Sequence, residues 1–115
     1  MPAKYAAPRG TQDVVPPESA RWSALEARIR TLADRFGYGE IRTPVFESTD
    51  LFVRGVGDAT EIVEKEMYRF KDRGDRDMAL RPEWTAPVVR AALERNLFAH
   101  GPQRLYYIGP IFRYE

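Results

Sequence analysis

Gly37–Tyr38–Gly39–Glu40–Ile41–Arg42–Thr43–Pro44–Val45–Phe46–Glu47 is where the chain changes period. Upstream, Trp22, Leu25, Ile29, Leu32, Ala33 and Phe36 recur at three and four residues, with Arg21, Glu26, Arg28, Arg30 and Asp34 between them. That spacing predicts an amphipathic helix of about 20 residues, close to 30 Å long. Pro16–Pro17–Glu18–Ser19 suits its first turn, where a missing N–H costs nothing and an acid complements the dipole. Gly37 suits its C′ stop. From Glu40 polar and apolar residues alternate as in a strand until Pro44, which cannot donate to a ladder, so the strand is an edge, bulged or broken there. Helix followed by strand predicts an α+β fold.

Working outward, Asp50 is placed to cap a short helix through Leu51, Phe52 and Val53 to Gly55, and residues 55–60 read as a mobile loop. Met67–Tyr68–Arg69–Phe70 and Met78–Ala79–Leu80–Arg81 flank Asp72–Arg73–Gly74–Asp75, which predicts a β-hairpin. Pro87 marks the first turn of a second helix, with Val88, Val89, Ala92 and Leu93 as its buried stripe and its end near Asn96. Arg104 to Glu115 reads as a strand kinked by Gly109–Pro110. Residues 1–16, with three prolines and no period, read as an irregular arm with room for a short strand. There is no internal repeat or linker, so residues 1–115 form one domain on this reading. The chain stops inside an apolar, aromatic strand, which is expected of a piece of something longer, since proteins avoid half-paired edges.

Composition narrows the function. At 115 residues, 43% hydrophobic and 12% aromatic, the chain can build a core, which excludes intrinsic disorder. The absence of cysteine excludes a disulfide scaffold, a thiolate zinc site and a cysteine nucleophile. The one histidine, His100, cannot build a His-rich metal site. No apolar run approaches the roughly 20 residues that span a bilayer, and no signal-peptide core is present, so a cytoplasmic location with no membrane partner is expected. With 18 basic against 17 acidic residues the chain lacks the charge of a dedicated nucleic-acid module. Fifteen of the 18 basic residues are arginines, the residue for planar recognition of carboxylates and phosphates, although composition bias accounts for much of that excess.

Generic motifs are absent: there is no phosphate-binding G-x-x-x-x-G-K-[ST] loop and no H-E-x-x-H, and Gly55–Val56–Gly57 lacks the third glycine of a dinucleotide site. Asp13, Glu47, Asp58 and Glu61 are isolated carboxylates of the kind usually found on solvated faces. Two constellations are richer. In Leu80–Arg81–Pro82–Glu83–Trp84–Thr85–Ala86–Pro87 a strand ends and a helix begins, so backbone N–H groups and side chains converge. Glu83 can receive an ammonium and Thr85 can add a hydroxyl. Equally, Thr85 can be an N-cap, Glu83 a dipole complement and Arg81 its ion-pair partner. In Phe112–Arg113–Tyr114–Glu115 a two-residue period puts Arg113 and Glu115 on one face, either for a phosphate and an amino-bearing ring or as a surface ion pair. Spacing alone favours the structural role in both cases.

Taken together, these strings resemble one family. From Arg9–Gly10–Thr11–Gln12–Asp13 to the last residue, the chain resembles the amino-terminal part of the catalytic domain of class II aminoacyl-tRNA synthetases, most closely the histidyl-tRNA synthetases. The long helix and Gly37 to Pro44 resemble motif 1 (about residues 17–47). Asp58 to Met67 and Leu80 to Ala86 follow in family order, the latter holding the Arg-Pro-Glu-x-Thr segment at 81–85. Residues 104–115 resemble the opening strand of motif 2.

The resemblance implies an α+β catalytic core, a mixed or antiparallel sheet flanked by helices, cut within motif 2. It implies that Arg113 grips the ATP α-phosphate and is catalytic, that Glu115 contacts the adenine amino group, and that Glu83 and Thr85 bind histidine, with Glu83 on the α-ammonium. Pro44 and the helix before it would lie at a homodimer interface, and Tyr106 and Tyr107 would pack rather than react. The implied reaction is ATP-dependent formation of histidyl-adenylate and transfer to tRNA(His), with Mg2+ on the phosphates and no metal held by the protein. The chain alone, lacking the motif 2 loop, motif 3 and an anticodon-binding domain, is expected to be inactive. Trp84 departs from the family, which usually has glycine there. The alternative is the histidine-sensing regulatory subunit of ATP phosphoribosyltransferase, a synthetase-like paralogue that often has a bulky residue at that place. That paralogue typically has aspartate at the position of Glu83 and diverges from residues 109–115.

Overall fold

The computed structural model describes residues 3–55 and 65–114, in two compact units divided after Gly37. In the first unit residues 3–16 form no strand, only a turn in which the Thr11 N–H and hydroxyl donate to the Pro8 carbonyl. Helix α1 runs Glu18–Arg35, with Glu18 in its first turn and Arg35 in its last, each complementing the dipole. Gly37, at φ +77°, donates its N–H to the Asp34 carbonyl and ends the helix as its position predicts. The apolar stripe has helical spacing, yet no residue of α1 is buried, and Leu25, Leu32 and Phe36 are all more than half exposed.

The second unit begins with β1 (Gly39–Glu40), which pairs in parallel with β5 (Leu105–Tyr106). The chain then breaks around Pro44, as its missing N–H requires. It resumes as β2 (Phe46–Ser48) in a different, antiparallel sheet of order β2–β4–β3, where β3 is Arg69–Lys71 and β4 is Asp77–Leu80. β2 and β3 both pair with β4, with Ala79 opposite Glu47 on one side and Arg69 on the other. The sheet strands are therefore split between a parallel pair and an antiparallel triplet. Helix α2 (Thr49–Gly55) starts one residue before the expected cap, so Asp50 lies within the first turn and pairs with Arg54 at 3.1 Å. The expected loop at 56–60 lies outside the described residues.

The hairpin forms where expected, but its positive-φ residue is Asp75, at 62°, rather than Gly74. Asp72 organises this turn by accepting the N–H groups of Gly74 and Arg76 on one carboxylate oxygen, each at 2.9 Å. Helix α3 spans Thr85–Glu94, and Asn96 in the left-handed region follows it. Its buried face differs from the predicted stripe: Ala86, Pro87, Ala91 and Ala92 are buried, whereas Val89 and Leu93 are exposed. The reason is the partner across the core. Fully buried Phe52 of α2 gathers with Met67, Ala79 and Ala86, so α3 turns its small side chains inward. Glu47 is likewise not solvated: it is buried and paired with Arg90 of α3 at 2.9 Å, tying β2 to that helix.

The predicted strand 104–115 is mostly not a strand. Only Leu105–Tyr106 joins a ladder; beyond Gly109–Pro110 the chain is held by single bonds from Phe112 N–H to the Arg81 carbonyl and from Tyr114 N–H to the Glu66 carbonyl.

Two outcomes follow. Phe52→Ala should cost about 3–5 kcal/mol, a large part of the stability of a unit this small, read as a collapse of the denaturant midpoint. The Asp72 carboxyl is held below the ordinary aspartate value, chiefly by the Arg76 backbone N–H and also by its guanidinium. A depressed pKa stabilises the fold above the unfolded value, and that stabilisation is lost as pH falls through the folded one. Asp72→Asn should therefore flatten the acid side of a stability–pH curve below about pH 4 while leaving a lower plateau at neutral pH.

Candidate active site

The β4 strand runs out at Leu80, and the next five residues turn the chain into α3. Glu83 caps that helix. Its carboxylate accepts the N–H groups of Thr85 and Ala86, which would otherwise be orphaned at the helix start. The cap is thus Glu83 rather than Thr85, whose side chain is exposed. A carboxylate offers about four lone-pair sites, so two N–H groups leave acceptor capacity for a cation beside the helix N-terminus.

Arg81 makes no ion pair with Glu83. It is 3% exposed, and burial pushes its pKa down from the ordinary arginine value. Its guanidinium donates to the carbonyls of Pro110 at 2.8 Å and Thr43 at 3.1 Å, and lies 3.9 Å over the Trp84 ring. Trp84 stacks on Tyr107 at 4.5 Å and donates its indole N–H to the Gly109 carbonyl at 3.4 Å. Tyr107 therefore packs rather than reacts.

Arg113 reaches this turn from the other constellation. Its Nε donates to the Pro82 carbonyl at 2.8 Å across 31 residues of sequence. Its side chain is otherwise exposed, and among the described residues no carboxylate pairs with it, so the charge is available to a ligand. Without a ladder the alternation predicted for residues 112–114 does not survive: Phe112 is half-buried, but Arg113 and Tyr114 are both exposed. Glu115 lies outside the described residues. Pro44 is exposed, and its carbonyl receives a long 3.4 Å contact from Arg81. An apolar groove of about 440 Å³ between Leu51 of α2 and Val89 and Leu93 of α3 has Thr85 at its rim but neither Glu83 nor Arg113. The polar groups converge outside it, on the 81–84 turn.

The sequence profile of the histidyl-tRNA synthetases matches residues 10–115. The chain belongs to the histidyl-tRNA synthetase family. It is 58% identical over 113 residues to a histidine–tRNA ligase of Geobacillus kaustophilus, covering 96% of this chain and 26% of that one. Among solved structures it resembles apo histidyl-tRNA synthetase of Staphylococcus aureus, at TM-score 0.80 and 46% identity over 95% of this chain and 26% of that one. A Bacillus halodurans structure described as an ATP phosphoribosyltransferase regulatory subunit/histidyl-tRNA synthetase has the same fold, at TM-score 0.80 over 99% of this chain and 29% of that one, but only 24% identity. The chain thus spans about a quarter of the length of the curated family relatives it matches.

The residues that knit this site together are not those that chemical motif-reading selects. Arg81 lies within the 81–85 segment but reads as an ion-pair partner, Gly109 reads only as a kink, and only the prolines at 44 and 110, which leave carbonyls without ladder partners, signal that a buried donor is needed. Glu83→Ala should leave two N–H groups uncapped and cost about 0.5–2 kcal/mol, whereas Thr85→Ala should change stability by far less. Chemical denaturation of the two variants checks the assignment of the cap.

Proposed function

We propose that these residues form the histidine- and phosphate-binding edge of a histidine–tRNA ligase. One observation carries the reading. The Arg113 Nε contact on Pro82 brings that arginine, which the resemblance implies would grip a phosphate, against the turn that holds Glu83. Two groups of opposite charge, far apart in sequence, thereby share one short stretch of backbone.

On this reading Glu83 receives the α-ammonium of histidine and Thr85 adds a hydroxyl contact. The histidine carboxylate attacks the α-phosphorus of ATP, forming a carboxyl–phosphate bond as the bond to pyrophosphate breaks. Negative charge grows on the α-phosphoryl oxygens, where the terminal nitrogens of Arg113 meet it as charge-assisted donors. Anchoring by Nε fixes the fork before substrate arrives, which spares reorganisation during reaction. A ribose hydroxyl of tRNA(His) then attacks the adenylate carbonyl and AMP departs. Glu115 would take the adenine amino group. Magnesium would travel on the phosphates of ATP.

The exposed stripe Trp22, Leu25 and Leu32 on α1, continued by Phe36 at its end, supports a homodimer that covers it. Among the described residues no helix is long and apolar enough to cross a membrane. The regulatory-subunit reading is the weaker one: the chain has Glu83 and keeps Arg113 anchored.

The test is a complete ligase carrying these residues, made by joining residues 1–115 to the downstream part of the Geobacillus kaustophilus enzyme. It should catalyse histidine-dependent ATP–pyrophosphate exchange, while the 115-residue chain alone should not. Arg113→Ala should lower kcat by about 100-fold or more. Glu83→Gln should raise the KM for histidine by about 10- to 100-fold. Unchanged kinetics in both variants would mean that these side chains are only structural.

A further inference from the structure

The position of Arg113 depends on more than its own bond to Pro82. The 81–84 turn and the 107–113 segment are joined by four bonds: Arg81 Nε to the Pro110 carbonyl, Trp84 Nε1 to the Gly109 carbonyl, Phe112 N–H to the Arg81 carbonyl and Arg113 Nε to the Pro82 carbonyl. Three of the four begin or end on Arg81 or on a residue stacked with it. The side chain of Arg81 also reaches back to the Thr43 carbonyl, and its own N–H donates to the Val45 carbonyl, so one residue ties three chain segments.

The fit is tight at Gly109. A Cβ there would lie 2.8 Å from Trp84 Cζ2 and 3.0 Å from Arg81 Nη2, closer than real side chains approach. The φ of Gly109 is one any residue can adopt, so its lack of a side chain serves the stack and not the backbone. Resting on the functional reading above, we propose that Arg81 is a positioning residue of the active site: stacked on Trp84 and seated against Gly109, it fixes the 109–113 segment on the 81–84 turn and thereby sets the guanidinium of Arg113 relative to Glu83.

Lysine at 81 keeps the charge but cannot serve carbonyls in two directions while lying flat on an indole. Gly109→Ala disturbs the same seat while leaving every proposed ligand-binding group intact. Both variants, and their double, are made in the complete ligase described above. Each single variant should lower kcat/KM for ATP by about 10- to 100-fold per folded molecule, with a raised KM. The double should be no worse than the stronger single, because both act through one contact. Trp84→Phe, which removes the crowding Cζ2, should restore part of the Gly109→Ala loss.

Losses that merely follow the folded fraction with KM unchanged, or that multiply in the double, would overturn the proposal. If Arg81→Lys does not fold, Gly109→Ala with and without Trp84→Phe decides by the same criteria. A second readout needs no activity: the Arg113 Nε–H signal in 15N NMR, assigned by its loss in Arg113→Lys, should be slowed in exchange by Pro82 and lose that protection in Gly109→Ala. Retained protection would overturn the positioning role. An unsubstituted ligase that is inactive yet shows that protection, lost in Gly109→Ala, would instead overturn only the functional reading.

Discussion

A buried guanidinium surrounded by carbonyls is the constraint on which the second unit is built. Taking a cation out of water is costly unless every edge finds a partner, and the usual partner is a carboxylate. Arg81 has none. Its donors go to backbone oxygens at Thr43 and Pro110, and its face lies on Trp84. These carbonyls have the complementary need. Proline at 44 and at 110 interrupts strand pairing, so neighbouring oxygens are left without ladder partners and would be penalised if buried alone. One side chain satisfies the breaks in two strands, and the breaks satisfy the side chain. The unit can therefore hold together with strands only two to four residues long.

The same choice of partner recurs at Arg113 with a different consequence. Had its Nε met a carboxylate, the local charge would have been cancelled and a phosphate would gain little by arriving. A carbonyl orients the fork and leaves a full positive charge on an exposed group. Glu83 shows the mirror arrangement: its carboxylate is oriented by two N–H groups of a helix start and is not neutralised by Arg81. The two candidate ligand groups are thus held by dipoles rather than by counter-ions, which keeps each available to a charged part of a substrate.

How much of this the sequence carries depends on whether a feature is set locally. Helix α1, its Gly37 stop, the hairpin and the broken strand at Pro44 follow from spacing and from what proline and glycine can do, and all were legible. The buried face of α3 was legible only in part: Ala92 of the expected stripe is buried, but Val89 and Leu93 are exposed and it is Ala86 that meets Phe52, which is decided by the volume left across the core. The strand beyond Tyr106 failed for a related reason. The chain in 107–114 finds isolated acceptors at Arg81 and Glu66 instead of a partner strand. At the site, spacing alone favours a structural role for Glu83 and Arg113 and only the resemblance gives them chemistry, whereas the bond from Arg113 to Pro82 is a long-range fact that no local pattern encodes.

Trp84 ties these threads together. Where the resemblance leads one to expect glycine, an indole beside Glu83 reads from sequence as bulk added to a pocket. In the structure the ring turns away from the helix cap to lie between other tasks: it is 9% exposed, stacked on Tyr107, beneath Arg81 and bonded to Gly109. Size gained at 84 is matched by the absence of a side chain at 109, where even a methyl would collide with it. The two positions form one steric unit, large against none, and 109 cannot gain a side chain while the indole is in place. The substitution therefore lies in the support beneath the candidate site: the same ring contacts that bury the indole give the Arg81 guanidinium the polarisable surface it needs to remain buried without a counter-ion.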